Sequence, residues 1–219
     1  MKIAHDPALF TRIGLGVLEH LARHHGATVQ PTADGDACGR VVLVSSARAG
    51  EGKSFVARGL AHALADQQDG DVIWVDAAFD TPTAEPDISR RGAAGFSEIM
   101  TLGSLQGLAP AGAGSERLWR LGRGVLAQAA LLHRPDAVRQ GLKALRAGFA
   151  LTVLDAPSLG ACGALLAEAD ACVMVVDSRH TSRRAAQQAL ADAALGPARL
   201  AGVVLNHRPR PIPRWLGGD

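Results

Sequence analysis

From residue 40 onward, short runs that are apolar at nearly every position alternate with longer segments whose apolar residues recur at helical spacing. The runs at 41–45, 72–76, 118–121, 151–155, 171–176 and 200–205 predict strands, and the segments at 53–67, 95–102, 135–147, 160–168 and 181–193 predict the helices between them. Strands without polar alternation are buried on both faces, and a helix between successive strands is the crossover that parallel pairing needs. The expected fold is therefore α/β, a doubly wound, mostly parallel sheet. Ahead of it, Asp6-Pro7 has the form of a helix start, and Phe10, Ile13, Val17, Leu18 and Leu21 continue at helical spacing to Gly26. That helix must lie against something. Residues 26–39 are rich in turn formers and read as a linker, and the Ala- and Gly-rich stretch 107–114 reads as a mobile loop.

The junction of the first strand and its helix carries the chemistry. Residues 47–54 read Ala-Arg-Ala-Gly-Glu-Gly-Lys-Ser, between an apolar strand and a helix that Lys53 opens. This is the context of a phosphate-binding P-loop, although Ala47 stands where the bare pattern has a glycine. Gly50 and Gly52 free the backbone to turn its N–H groups toward phosphate oxygens, and the helix N-terminus adds its positive dipole end. Ala49, Glu51 and Phe55 are expected to be cofactor-binding residues of the same cradle. Lys53 brings a point charge to the terminal phosphates and Ser54 a hydroxyl for Mg²⁺. The metal also needs an acid from a neighbouring strand end. Asp76 and Asp155 each terminate a predicted strand, so both carboxylates should emerge at the sheet edge where open α/β sheets bind ligands.

Composition narrows the setting. With 219 residues, 47% of them hydrophobic and 20% charged, the chain can bury a continuous core. A net charge of +2 gives no independent argument for nucleic acid. Cys38, Cys162 and Cys172 form no CxxC pair, which suits reduced thiols in a cytoplasmic protein. The first residues resemble neither a signal peptide nor a membrane span, so direct membrane insertion is not expected and any attachment to the inner membrane should come through a partner. The expected division is an N-terminal helix and linker (1–39), a P-loop ATP-binding domain (40–207) and a Pro/Arg-rich tail (208–219).

The residues 45–54, the strand ending in Asp76, the strand ending in Asp155-Ala-Pro157 and the segment Gly202-Val-Val-Leu-Asn206 together resemble the bacterial tyrosine kinases of capsule and exopolysaccharide export. These lie within the MinD/ParA class of P-loop ATPases. The segment 95–100, Gly-Phe-Ser-Glu-Ile-Met, also sits where that family carries a similar Gly-Leu-Ser-Asp. The resemblance implies ATP and Mg²⁺ as cofactors, with Lys53, Asp76 and Asp155 in the catalytic positions, Ser54, Asp76 and Asp155 around the metal, and Asn206 at the adenine. It also implies a separate membrane-embedded polysaccharide co-polymerase as partner, and a homo-oligomer or nucleotide-dependent dimer. In such a dimer Arg48 would replace the lysine that reaches the other subunit's phosphates.

Departures from that pattern are specific. The family's Asp-x-Asp-x-Arg after the second strand reads Asp76-Ala-Ala78-Phe-Asp80 here, so one carboxylate and one cation are missing. There is no tyrosine anywhere, hence no tyrosine cluster to phosphorylate. The expected function is accordingly an ATP-binding regulatory subunit resembling the cytoplasmic half of a polysaccharide co-polymerase. The alternatives are a kinase acting on other proteins and a MinD/ParA-type positioning ATPase. Pro209, Pro211 and Pro213 exclude a terminal amphipathic helix of the MinD kind. The arginines toward the C-terminus are scattered without aromatic residues, which argues against nucleic acid.

Overall fold

A computed structural model gives the arrangement of residues 7–26, 39–80, 95–103, 105, 109–110 and 116–207. Along the chain these form α1 (Pro7–His25), β1 (Arg40–Ser46), α2 (Lys53–Gln67), β2 (Val72–Asp76), α3 (Phe96–Leu102), β3 (Ala109–Pro110), β4 (Leu118–Leu121), α4 (Pro135–Gly148), β5 (Leu151–Asp155), α5 (Ala164–Glu168), β6 (Ala171–Asp177), α6 (Arg183–Asp192) and β7 (Leu200–Asn206). All strands but β3 run parallel, in the order β3-β4-β2-β5-β1-β6-β7. The doubly wound α/β sheet is thus as the apolar runs predict. Strands β1, β5 and β6 lie inside the sheet and are buried along almost their whole length, which is why they lack polar alternation.

Two cores flank the sheet. On one face α1 and α2 pack together through Phe10, Val17, Leu21, Val56, Leu60 and Leu64. Gly59 lets them approach, since a Cβ there would lie 2.4 Å from the Phe10 ring. On the other face Phe96, Met100, Val138, Leu142, Leu145 and Leu165 close over Leu43, Ile73 and Leu154. At the opposite end from the strand termini, Asp170 accepts an ion pair from Arg146 at 2.7 Å and another from Arg40 at 3.7 Å. Its backbone carbonyl meets His25 Nε2 at 3.1 Å, which ties the end of α1 to the sheet.

Four elements differ from the sequence expectation, one of them an unpredicted 3₁₀ turn at Ala129–His133. Within the stretch 107–114, Ala109 and Pro110 pair antiparallel with Arg120 and Trp119 of β4. Periodicity cannot reveal a strand this short, and a sheet edge tolerates the proline because it makes no demand on the missing N–H. The rest of that stretch lies outside the described residues, as does most of the segment 26–39. The helix expected at 160–168 is instead a 3₁₀ turn, Leu159–Ala161, followed by α5. Gly163 breaks it, with φ +55 and no room for a side chain beside the Leu132 carbonyl. The helix expected from 181 begins at Arg183, because the Ser182 hydroxyl accepts from Ala185 N at 3.2 Å and so caps it.

Candidate functional site

The chain leaves β1 for β2 in one direction across the sheet and leaves β5 for β6 in the other, with α2 and α5 on opposite faces. The crevice at the carboxyl ends of β1 and β5 is therefore the switch point of the sheet. The register puts Asp155 opposite both Val44 of β1 and Asp76 of β2, so the two acids end adjacent strands beside the loop that leaves β1.

That loop is built for backbone presentation. Gly50 and Gly52 have φ of +83 and +90, a region that disfavours any side chain. Gly52 precedes α2 with no side-chain cap, and the first turn of the helix holds no acid, which leaves its N-terminus suited to an anion. Ala49 is exposed at the lip, and Lys53 is buried at the helix start. The ring of Phe55 turns to α1 and meets Phe10 edge-on at 5.7 Å, which leaves it a backbone role at the loop.

Glu51, expected as a cofactor-binding residue, turns its carboxylate to the protein as a latch. Its buried carboxylate accepts from Arg48 N at 2.9 Å, from Asp177 N at 3.2 Å and from the Thr181 hydroxyl. Asn206 lies beneath the loop, buried, and donates from Nδ2 to the Glu51 carbonyl at 2.8 Å. A side chain at Gly52 would collide with it. The loop is thus fixed to the ends of β6 and β7. Arg48 itself is exposed.

On the other side, Ser45 Oγ donates to Pro157 O at 2.6 Å and Ala156 N to Val44 O at 3.0 Å, so the turn after β5 is held to β1. Asp155 is only 2% exposed, its Oδ1 has no hydrogen-bond partner, and Ser54 donates to the carboxylate. Burial pushes its pKa up to about 7, and the negative charge of Asp76 adds to this. The Ser54 hydroxyl, Lys53 and Arg123 oppose it. A buried carboxylate with an unused oxygen beside a serine hydroxyl and a lysine is a donor set suited to Mg²⁺ on a phosphate. Among the described residues no cluster of three His, Cys, Asp or Glu could hold a metal by itself.

Asp76 is engaged by a residue the sequence did not single out. Arg123 Nε meets its Oδ2 at 2.8 Å, while Oδ1 accepts from Ala78 N at 3.1 Å. Ala78 is buried and Asp80 exposed. Arg123 follows β4, in a loop clamped by Glu98: Gly95 N, Val125 N and Leu126 N donate to that carboxylate at 2.9, 2.9 and 3.0 Å. Burial by itself would raise the Glu98 pKa, but these N–H groups and the Ser97 hydroxyl outweigh it and hold the acid below its ordinary range. A Gly-Phe-Ser-Glu helix start was visible in the sequence. Its grip on a loop 27 and 28 residues away was not.

No family model matches the sequence, and no curated protein matches it. Solved structures do. The kinase domain of VpsO is 21% identical with a TM-score of 0.65, covering 92% of this chain and 97% of that one. The kinase domain of the Escherichia coli tyrosine kinase ETK is 16% identical with a TM-score of 0.64, covering 83% and 73%. A ParA family ATPase from Chlorobium tepidum is 20% identical with a TM-score of 0.58, covering 76% and 73%. The α/β fold is thus shared with these two kinase domains and with the ParA family ATPase. No helix of the described residues is long and apolar enough to cross a membrane.

Proposed function

We propose that this protein is an Mg·ATP-binding regulatory subunit that works beside a membrane-embedded polysaccharide co-polymerase, at the inner face of the membrane, without tyrosine autophosphorylation. The observation that carries the nucleotide reading is a glycine-shaped loop opening a helix at Lys53 and Ser54 beside buried Asp155, whose carboxylate accepts from Ser54 and keeps Oδ1 without a partner. In this reading the backbone of residues 49–55 cradles the phosphates, Lys53 neutralises the terminal ones, and Ser54 and Asp155 hold the metal. Bound Mg²⁺ supplies charge neutralisation between the phosphates. Asp76, on the next strand, stands at the position for orienting an attacking group, but it is occupied by Arg123 and lacks the second carboxylate that Ala78 replaces. Slow turnover follows from both features.

The co-polymerase partner rests on resemblance to the tyrosine kinases of polysaccharide export and on the likeness to VpsO and ETK. With no tyrosine among these 219 residues, a phosphorylated tyrosine would have to lie outside them. Isothermal titration of Mg·ATP tests the nucleotide reading. Wild type should bind and Lys53→Ala should lose at least about tenfold in affinity, as expected for removing a charged hydrogen bond to phosphate. Absence of binding by wild type would end the proposal. Nucleotide-dependent co-precipitation with a co-polymerase from membranes tests the partner; retention on DNA instead would favour a positioning ATPase.

A further inference from the structure

We propose that Arg123 is the phosphate-sensing cation of this site: it neutralises Asp76 when no nucleotide is bound and transfers to the terminal phosphate of ATP, which frees the Asp76 carboxylate. This rests on the nucleotide-binding reading above. Its starting point is a charge imbalance. The strand ends bring Asp76 and Asp155 side by side, and the stretch after Asp76, which in the resembling kinases ends in arginine, ends here in Asp80. Lys53 acts on Asp155, and the cation at Asp76 comes instead from the end of β4, the neighbour of β2, as the 2.8 Å contact of Arg123 with Asp76.

Both side chains of the pair are largely buried, at 13% and 16% exposure, so neither is held by solvent. The charge of Arg123 also reaches Asp155, which places it within the field of the metal and phosphate position and not merely at the protein surface. Its backbone is fixed while its side chain reaches Asp76. Arg123 O accepts from Ser97 N at 2.9 Å, Gly122 O accepts from Phe96 N at 2.8 Å, and Gly124, at φ +89, packs against Glu98 with no room for a Cβ. A guanidinium on such a fixed base can exchange one anionic partner for another by side-chain rotation alone. It also matches phosphate geometry with paired N–H donors as well as it matches a carboxylate. An added γ-phosphate brings a more highly charged anion than Asp76, so the exchange should depend on the third phosphate.

Calorimetry with Mg·ATP and Mg·ADP on the full chain, for wild type, Arg123→Gln, Arg123→Lys and Asp76→Asn, tests this. Arg123→Gln should reduce ATP affinity about tenfold while ADP affinity stays within about twofold, and Arg123→Lys should recover part of the loss. Asp76→Asn, which removes the competing carboxylate, should shift selectivity toward ATP. Thermal melts of the empty proteins accompany the titrations. If Arg123→Gln weakens ATP and ADP equally, or only lowers the melting temperature, the pair is structural and the proposal is overturned. If wild type binds neither nucleotide, it is the P-loop reading that has failed, and the two failures are distinguished.

Discussion

At Asp155 a single side chain links burial, charge and pH. Its pKa of about 7 lies well above that of an aspartate in an unfolded chain. A raised acid binds its proton more tightly in the folded state, so the empty protein loses stability as pH rises from about 4 to about 7, by an amount on the order of a few kcal/mol. Asp155→Asn removes this penalty. Its empty form should match wild type near pH 4 and exceed it in melting temperature at pH 8, which melts across that range would measure. In the proposed reading the ligand side has the opposite sign, because a metal held by Asp155 would require the carboxylate. Mg·ATP binding to wild type at pH 6 to 7 should release a proton, and titrations in buffers of different ionisation heat would detect it. Binding without proton release, or an Asp155→Asn variant destabilised at every pH, would contradict this account of the residue.

Among the elements, α1 shows where sequence reasoning reached and where it stopped. Its apolar stripe requires a neighbour, but the stripe does not say which one. Phe10 meets Gly59 and Phe55, so the answer lies in a small residue and a ring on α2, roughly 45 positions away, that local periodicity does not connect. Phe10→Ala should cost about 3 kcal/mol in urea denaturation, as a buried aromatic truncation does. A loss below about 1 kcal/mol would mean that α1 is loosely held. The same division runs through the site. Gly50, Gly52, Lys53, Ser54, Asp76 and Asp155 were legible because each occupies a motif position or a strand end. Glu51, Thr181 and Arg123 gain their roles from sheet order, which brings the ends of β6 and β4 beside those of β1 and β2. The two-residue strand β3 and the break at Gly163 were likewise invisible, since too few residues or a single backbone angle decides them.

For the molecule as a whole, the candidate site is a loop tied across the sheet. Glu51 joins the loop after β1 to β6, Asn206 joins it to β7, and Ser45 joins its root to the turn after β5. A loop held in this way has little ordering entropy left to lose on binding. Cutting one tie should therefore weaken every ligand of the loop alike, because no tie touches a particular phosphate. Glu51→Ala is expected to lower affinity for Mg·ATP and Mg·ADP by similar factors, about tenfold, and to do so with metal chelated as well. It should also cost about 1 to 3 kcal/mol of stability, since Asp177 N and the Thr181 hydroxyl lose a buried acceptor. The readout is the rise in melting temperature at saturating nucleotide, which follows affinity by mass action. In Glu51→Ala the rise should shrink equally for both nucleotides, whereas Arg123→Gln should shrink it for ATP alone. A Glu51→Ala protein with an undiminished nucleotide-induced rise would show that the loop assembles around its ligand and that the ties across the sheet serve only the empty fold.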